Sequence, residues 1–177
     1  MGLKLELGLK DKVILVSGGA SGIGQEIVKK LQALEAIPIV IDKVNKVDAK
    51  WGQESSIIPE PQWITADLVE EDSCRKAVGQ IIDQFGRIDG LVNNAGMNDG
   101  VGLTSSLDQF RSSIEANLIH YFTMAHLCLE ALKKNKGTIV NIGSKVSFTG
   151  QGCTSGYTAS KGGITSLTRE WAVDLAA

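Results

Sequence analysis

The sequence predicts an α/β protein: a doubly wound parallel sheet with helices on both faces. Two observations carry this. Short, near-continuous apolar runs alternate with longer segments of helical period, in the order βαβαβαβαβα. The residues with recognisable chemistry follow the ends of those runs, where an open parallel sheet binds its ligands.

The elements follow in order. Val13–Ser17 reads as the first strand, followed by a glycine turn and an amphipathic stretch from Ile23 to Leu34. Ile37–Ile41 is the second strand and Trp63–Ala66 a short third. Glu70–Phe85 is helical, with Ala77, Val78, Ile81, Ile82 and Phe85 on one face and an N-cap expected at Asp72 or Ser73. Leu91 and Val92, with Ile88 before them, begin a fourth strand. Leu107–Lys134 reads as one long helix stopped by Lys133, Lys134, Lys136 and Gly137. Thr138–Ile142 is a fifth strand and Tyr157–Leu175 a final helix. Residues 1–177 are expected to form one domain.

Composition limits the function classes. The chain has 177 residues, 43% hydrophobic and 21% charged, which suits one globular core rather than global disorder. Eighteen Lys and Arg against 20 Asp and Glu leave a net charge of −2 and argue against a nucleic-acid partner. No apolar run approaches the roughly 20 residues that cross a bilayer. In Met1–Lys12 charges interrupt every apolar pair, so no signal-peptide core is present, and Glu6 stands where a myristoylation start needs Ser or Thr. Cys74, Cys128 and Cys153 form no CxxC and read as ordinary thiols of a reducing cytosol. His120 and His126 lie too far round a helix to share a metal, so both read as ordinary helix residues and no metal site is expected.

Of 20 glycines, three make a pattern: Gly18, Gly22 and Gly24, in Ser17-Gly-Gly-Ala-Ser-Gly-Ile-Gly24. Between a strand and a helix, such glycines permit a tight turn, close backbone approach to a pyrophosphate and close helix–strand packing. The helix N-terminus then offers free N–H groups to phosphates. A plain strand-to-helix turn would look alike; the context separates them, because Asp42 ends the second strand. A carboxylate there can accept from both ribose hydroxyls and repels a 2′-phosphate, which favours NAD over NADP. Lys43 beside it pulls the other way and leaves NADP open.

Tyr157 and Lys161 share a helix face. An ammonium beside a phenol favours phenolate, so such a tyrosine can act as acid or base near neutral pH. Ser144 follows the fifth strand, where its hydroxyl can bond a substrate oxygen or merely close a turn. Asn117 sits inside the long helix, where Asn is a poor former; solvent-facing placement is the plain alternative. Asn93-Asn-Ala-Gly96 follows the fourth strand and can brace neighbouring strand ends or be a simple turn.

Taken in order, the glycine turn, Asn93-Asn-Ala-Gly96, Asn117, Ser144 and Tyr157-x-x-x-Lys161 resemble the classical short-chain dehydrogenases/reductases over the whole chain. The resemblance implies a Rossmann-type sheet and a nicotinamide cofactor. It implies that Tyr157 is the catalytic acid/base, that Lys161 lowers its pKa and holds the nicotinamide ribose, that Ser144 positions the substrate oxygen, and that Asn117 holds a water of a proton relay. The cofactor contacts it implies are Gly18, Ser21, Gly22, Ile23, Gly24, Asp42, Asp67, Leu68, Asn94, Ala95, Gly96, Tyr157 and Lys161, with Asn93 as a strand brace. A narrower resemblance, to bacterial L-fucose dehydrogenases, rests on Asn98-Asp-Gly100, the segment Asn117–His126, Gly150–Tyr157 and Leu167–Val173. A sugar pocket needs side chains that bond hydroxyls, and Asn98, Gln151 and Thr154 flank the expected site beside Ser144 and Tyr157.

The expected activity is therefore an NAD-dependent oxidation of a hydroxyl, with a sugar as substrate. The alternatives are an NADPH-dependent 3-oxoacyl thioester reductase and a silent, truncated dinucleotide-binding fragment. Members of the family run to roughly 250 residues. The last strands and the substrate lid are expected to lack a counterpart here, which leaves the fifth strand's edge open. Phe122, Leu129, Leu167 and Trp171 either cover the sheet or, as the resemblance implies, pair subunits into a homodimer or homotetramer.

Overall fold

A computed structural model describes residues 7–49 and 61–176; the first half of the Met1–Lys12 segment lies outside them. The first strand of the described residues, β1 (Val13–Ser17), becomes the centre of its sheet. All five of its residues are buried, as a strand covered on both faces requires. β2 (Ile37–Asp42) and β4 (Gly90–Asn93) pair with it on either side, β3 (Gln62–Thr65) lies outside β2, and β5 (Thr138–Asn141) lies outside β4. The order is β3-β2-β1-β4-β5 and every pairing is parallel.

Alternation along β1 divides the core. Val13 and Leu15, with Ile39, Ile41 and Leu91, face α2 (Glu71–Phe85) and α4 (His120–Asn135), where Cys74, Ala77, Ile81, Met124 and Cys128 complete the layer. Ile14 and Val16, with Val40 and Val92, face Val28 of α1 (Gly22–Ala33). Helices therefore cover both faces, as expected. α6 (Ser155–Asp174) runs beside α3 (Leu107–Ile114) and the short α5 (Val146–Thr149).

At the amino end of the strands Asp89 ties β1 to the β4 entry. It accepts from Val13 N–H at 3.0 Å, from Lys12 Nζ at 3.1 Å and from two nitrogens of Arg87 at 2.8 and 2.6 Å. Burial works to raise its carboxyl pKa, but these donors outweigh burial and hold it below the ordinary value.

Three local expectations change. The long helix is not continuous: α3 and α4 are joined by a π-helical segment, Glu115–Ile119. α3 begins with a capping box that satisfies orphan donors, Ser106 Oγ accepting from Gln109 N–H while Gln109 Oε1 accepts from Ser106 N–H. α2 is capped at Glu70 rather than Asp72 or Ser73, because Ser73 Oγ is turned back to accept from Asp67 N–H at 3.0 Å. α4 closes on Lys136, at φ 51, rather than on Gly137; Gly137 is required because a Cβ there would meet Asp89 O at 2.7 Å. β5 forms the sheet's border, with Val140 exposed. Among the described residues no helix is long and apolar enough to cross a membrane.

Candidate active site

The strand order reverses at β1 and β4, and a cleft of about 550 Å³ opens at the carboxyl ends of the strands there. Every strand end feeds it. Gly18, Ser21, Gly22 and Ile23 follow β1; Asp42 ends β2; Asp67 and Leu68 follow β3; Asn94, Ala95 and Gly96 follow β4; Ile142 and Gly143 follow β5; Tyr157 and Lys161 close it from α6.

In the glycine turn two positions have no room for a side chain, and two have a positive φ that favours glycine. Gly18 has φ 64, and a Cβ on it would press within 2.8 Å of the Ala95 backbone. A Cβ on Gly24 would strike the Gly18 carbonyl and lie 2.6 Å from Asn94 Nδ2, so Gly24 is a packing glycine that does not itself line the cleft. Gly22, at φ 54, has nothing within 4 Å of where its Cβ would stand; the cleft is open there. Ser21, the N-cap of α1, makes no side-chain cap bond, and no acidic residue occupies the first turn. Free N–H groups and a bare backbone thus face the cleft at the positive end of a helix, which fits phosphate oxygens. Asp42 accepts from Ala20 N–H and Val44 N–H, both at 3.1 Å, which fixes its carboxylate at the rim. The donor set therefore fits a dinucleotide.

The turn after β4 is braced to its neighbours. Ser17 Oγ accepts from Asn94 N–H at 2.9 Å and Ala95 N–H at 3.1 Å, and Asn94 Nδ2 donates to the carbonyls of Ser17 and Gly18. Asn93 Nδ2 donates to Asn141 Oδ1 at 3.0 Å and to Tyr121 O at 3.3 Å, joining β4 to β5 and α4.

Asn117 is wholly buried rather than solvent-facing. Its Oδ1 accepts from Met97 N–H at 2.7 Å and its Nδ2 donates to Ser113 O at 3.1 Å. Its side chain clamps the π-helical segment to the β4 turn and does not line the cleft. Lys161 is 3% exposed and appears in none of the ion pairs among the described residues. Its Nζ donates to Ile142 O at 2.7 Å and to Tyr121 Oη at 3.0 Å, and lies 5.7 Å from the Tyr157 ring centroid. Burial pulls the Lys161 pKa down to about 8.

Four expected residues stand apart. Ser144 Oγ accepts from Val146 N–H at 3.4 Å, a turn contact. Asn98 Oδ1 accepts from Gly100 N–H at 3.4 Å, Gln151 is exposed, and Thr154 is buried with Oγ1 against Thr158 Oγ1 at 3.3 Å. None of the four lines the cleft.

His120 does line it, against the expectation of an ordinary helix residue. The residue is 2% exposed, Nε2 lies 3.1 Å from Ala116 O, and Nδ1 is buried without a partner. Burial, reinforced by the nearby Lys161 charge, pulls its pKa to about 4 against the opposing pull of the Ala116 carbonyl. The sequence held a signal for it: Asn117, His120 and Tyr121 continue at helical spacing the buried stripe of Met124, Cys128 and Leu132.

The sequence model of the short chain dehydrogenase family matches residues 12–177. The chain belongs to this family. Among its relatives, the L-fucose dehydrogenase of Bos taurus is 33% identical over 92% of this chain and 60% of its own length. The glucose and ribitol dehydrogenase of Daucus carota is 34% identical over 94% of this chain and 60% of its own length. Among solved structures, Cj0485 dehydrogenase superposes with a TM-score of 0.89 at 37% identity, covering 97% of this chain and 66% of that one. This short-chain dehydrogenase sequence thus spans about 60% of the length of the curated relatives it matches.

Proposed function

We propose that this chain carries the cofactor-binding and catalytic core of an NAD-dependent dehydrogenase that oxidises a sugar hydroxyl, with L-fucose the first substrate to test. The observation that carries the reading is the single cleft that holds the α1 N-terminus and Asp42 on one wall and Tyr157 with Lys161 on the other. Asp42 accepts ribose hydroxyls and repels a 2′-phosphate, which supports NAD, with NADP the weaker fit. Gly18, Ser21, Gly22 and Ile23 would take the pyrophosphate and Asp67 and Leu68 the adenine; Asn94, Ala95 and Gly96 line the path to Tyr157. Bound there, the nicotinamide supplies a hydride acceptor.

The chain's own groups move the proton. Tyr157 takes it from the substrate hydroxyl as general base. Lys161 supplies fixed positive charge beside that oxygen and bonds the nicotinamide ribose. Ser144 lies outside the cleft lining, with its Oγ accepting from Val146 N–H, so a bond to a substrate oxygen requires its turn to shift toward the cleft. Asn117 contributes by holding the π-helical segment against the cleft turn. Sugar selectivity by Asn98, Gln151 and Thr154 requires their loops to close over the cleft. The fit of the sugar reading to the relatives' names is shared by two of them, an L-fucose and a glucose and ribitol dehydrogenase. The half-exposed Phe122, stacked on His126 at 5.9 Å, supports a homodimer or homotetramer. The free thiols of Cys74, Cys128 and Cys153 fit the cytoplasm.

The test is calorimetric titration with NAD and NADP, and absorbance at 340 nm with NAD and L-fucose. NAD binding that weakens about tenfold in Asp42→Ala, and turnover that disappears in Tyr157→Phe, are expected. Turnover that survives in Tyr157→Phe refutes the mechanism.

A further inference from the structure

Lys161 poses a problem that the proposed reaction leaves open. An ammonium this deeply buried is costly unless its hydrogens are satisfied. No carboxylate pairs with it among the described residues; two neutral oxygens do, Ile142 O at 2.7 Å and Tyr121 Oη at 3.0 Å. Tyr121 is fully buried at the start of α4. Its own hydroxyl donates to Ile142 O at 3.2 Å, so its proton is committed to the carbonyl and its lone pair faces Nζ. Its backbone carbonyl takes Asn93 Nδ2, which ties the residue to β4. A phenylalanine would fill the same volume; the hydroxyl is the part that packing does not need.

We propose that Tyr121 is a positioning residue for Lys161: its hydroxyl takes one ammonium hydrogen while Ile142 O takes another, which leaves the third to point into the cleft beside Tyr157. The side chain of a lone lysine has four rotatable bonds, and one carbonyl would leave the amine free to swing. Two acceptors from different elements, α4 and the end of β5, remove that freedom. The two tyrosines of the chain thus flank one ammonium, Nζ lying 5.0 Å from the Tyr121 ring centroid and 5.7 Å from that of Tyr157. Tyr121 stays a neutral phenol in this place, because burial, and then the facing Tyr157, push its pKa up. The titratable groups that face the amine are Tyr121 and His120 from α4 and Tyr157 from α6; Ile142, just after β5, contributes only a carbonyl.

The catalytic meaning of this arrangement rests on the proposed dehydrogenase reading, but the geometry does not, so the two are tested separately. With only two tyrosines, Tyr157→Phe protein labelled with carbon-13 at tyrosine Cζ gives one resonance, that of Tyr121. It should step with a midpoint of about 8 as Lys161 titrates, and the step should vanish when Lys161→Met is added. In Tyr121→Phe, with lysine Cε labelled, the charged amine loses an acceptor, so its acid dissociation constant should rise about tenfold. A Tyr121 resonance that stays flat while Lys161 titrates overturns the proposal, as does an unmoved Lys161 midpoint in natively folded Tyr121→Phe. Should Tyr121→Phe fail to fold, the Cζ titration decides alone. A step in Tyr157→Phe with no NAD turnover by the unsubstituted chain upholds the positioning and refutes the dehydrogenase reading; turnover by the unsubstituted chain without a step does the reverse.

Discussion

Replacing His120 with glutamine should make the protein less sensitive to acid. His120 is 2% exposed, its Nδ1 has no partner, and Lys161 adds repulsion to any proton it takes up. Its pKa falls from 6.5 to about 4 on folding. Between those values the unfolded chain binds a proton that the native chain refuses, so stability is lost as pH falls from about 6.5 towards 4 and is regained as it rises. At 1.36 kcal/mol per pH unit the loss is about 3 kcal/mol, a large share of a small protein's stability. Glutamine does not titrate and can keep a donor on Ala116 O. Urea unfolding at pH 7, 6, 5 and 4.5 measures both proteins, and the difference between their pH slopes isolates His120, since every other residue is the same in each. Parallel slopes would refute the claim that His120 is buried neutral.

Two further outcomes follow from the turn and the clamp. Gly24→Ala forces a Cβ against the Gly18 carbonyl and Asn94 Nδ2, so we expect about 2–3 kcal/mol of destabilisation and weaker NAD binding; a thermal midpoint equal to wild type would show that the turn has more room than described. Asp89→Asn weakens the bonds from Lys12 and Arg87, both partly exposed, and should cost about 1–2 kcal/mol at pH 7. Because the Asp89 pKa is depressed by folding, its contribution is present above the ordinary carboxylate range and lost as pH falls, so the gap between variant and wild type should narrow in acid.

The strands were legible because parallel strands buried on both faces need unbroken apolar runs, and Val13–Ser17 is bounded in the structure as it reads in the sequence. The glycine turn and the Tyr157–Lys161 pair were legible because their spacing is a local constraint that holds wherever the chain goes. The π-helical segment was not, since helical period alone runs smoothly through Glu115–Ile119. Asn117 and His120 are legible only as members of the stripe that continues at helical spacing into Met124, Cys128 and Leu132; weighed singly, each reads as an ordinary polar residue of a helix. Ser144, Asn98, Gln151 and Thr154 were placed by proximity in sequence to cleft residues, but side-chain direction depends on the loop path, and each spends its bonds or its exposure outside the cleft.

β1, first in sequence and central in space, also sets a timetable for synthesis on the ribosome. Its β2 edge can pair as soon as Ile37–Asp42 emerges, but its other edge waits for Gly90–Asn93. At 5–20 residues per second that wait is roughly 2–10 s. Through it a nascent chain carries an apolar strand with one open side, on which a chaperone or a second nascent chain can settle before β4 arrives.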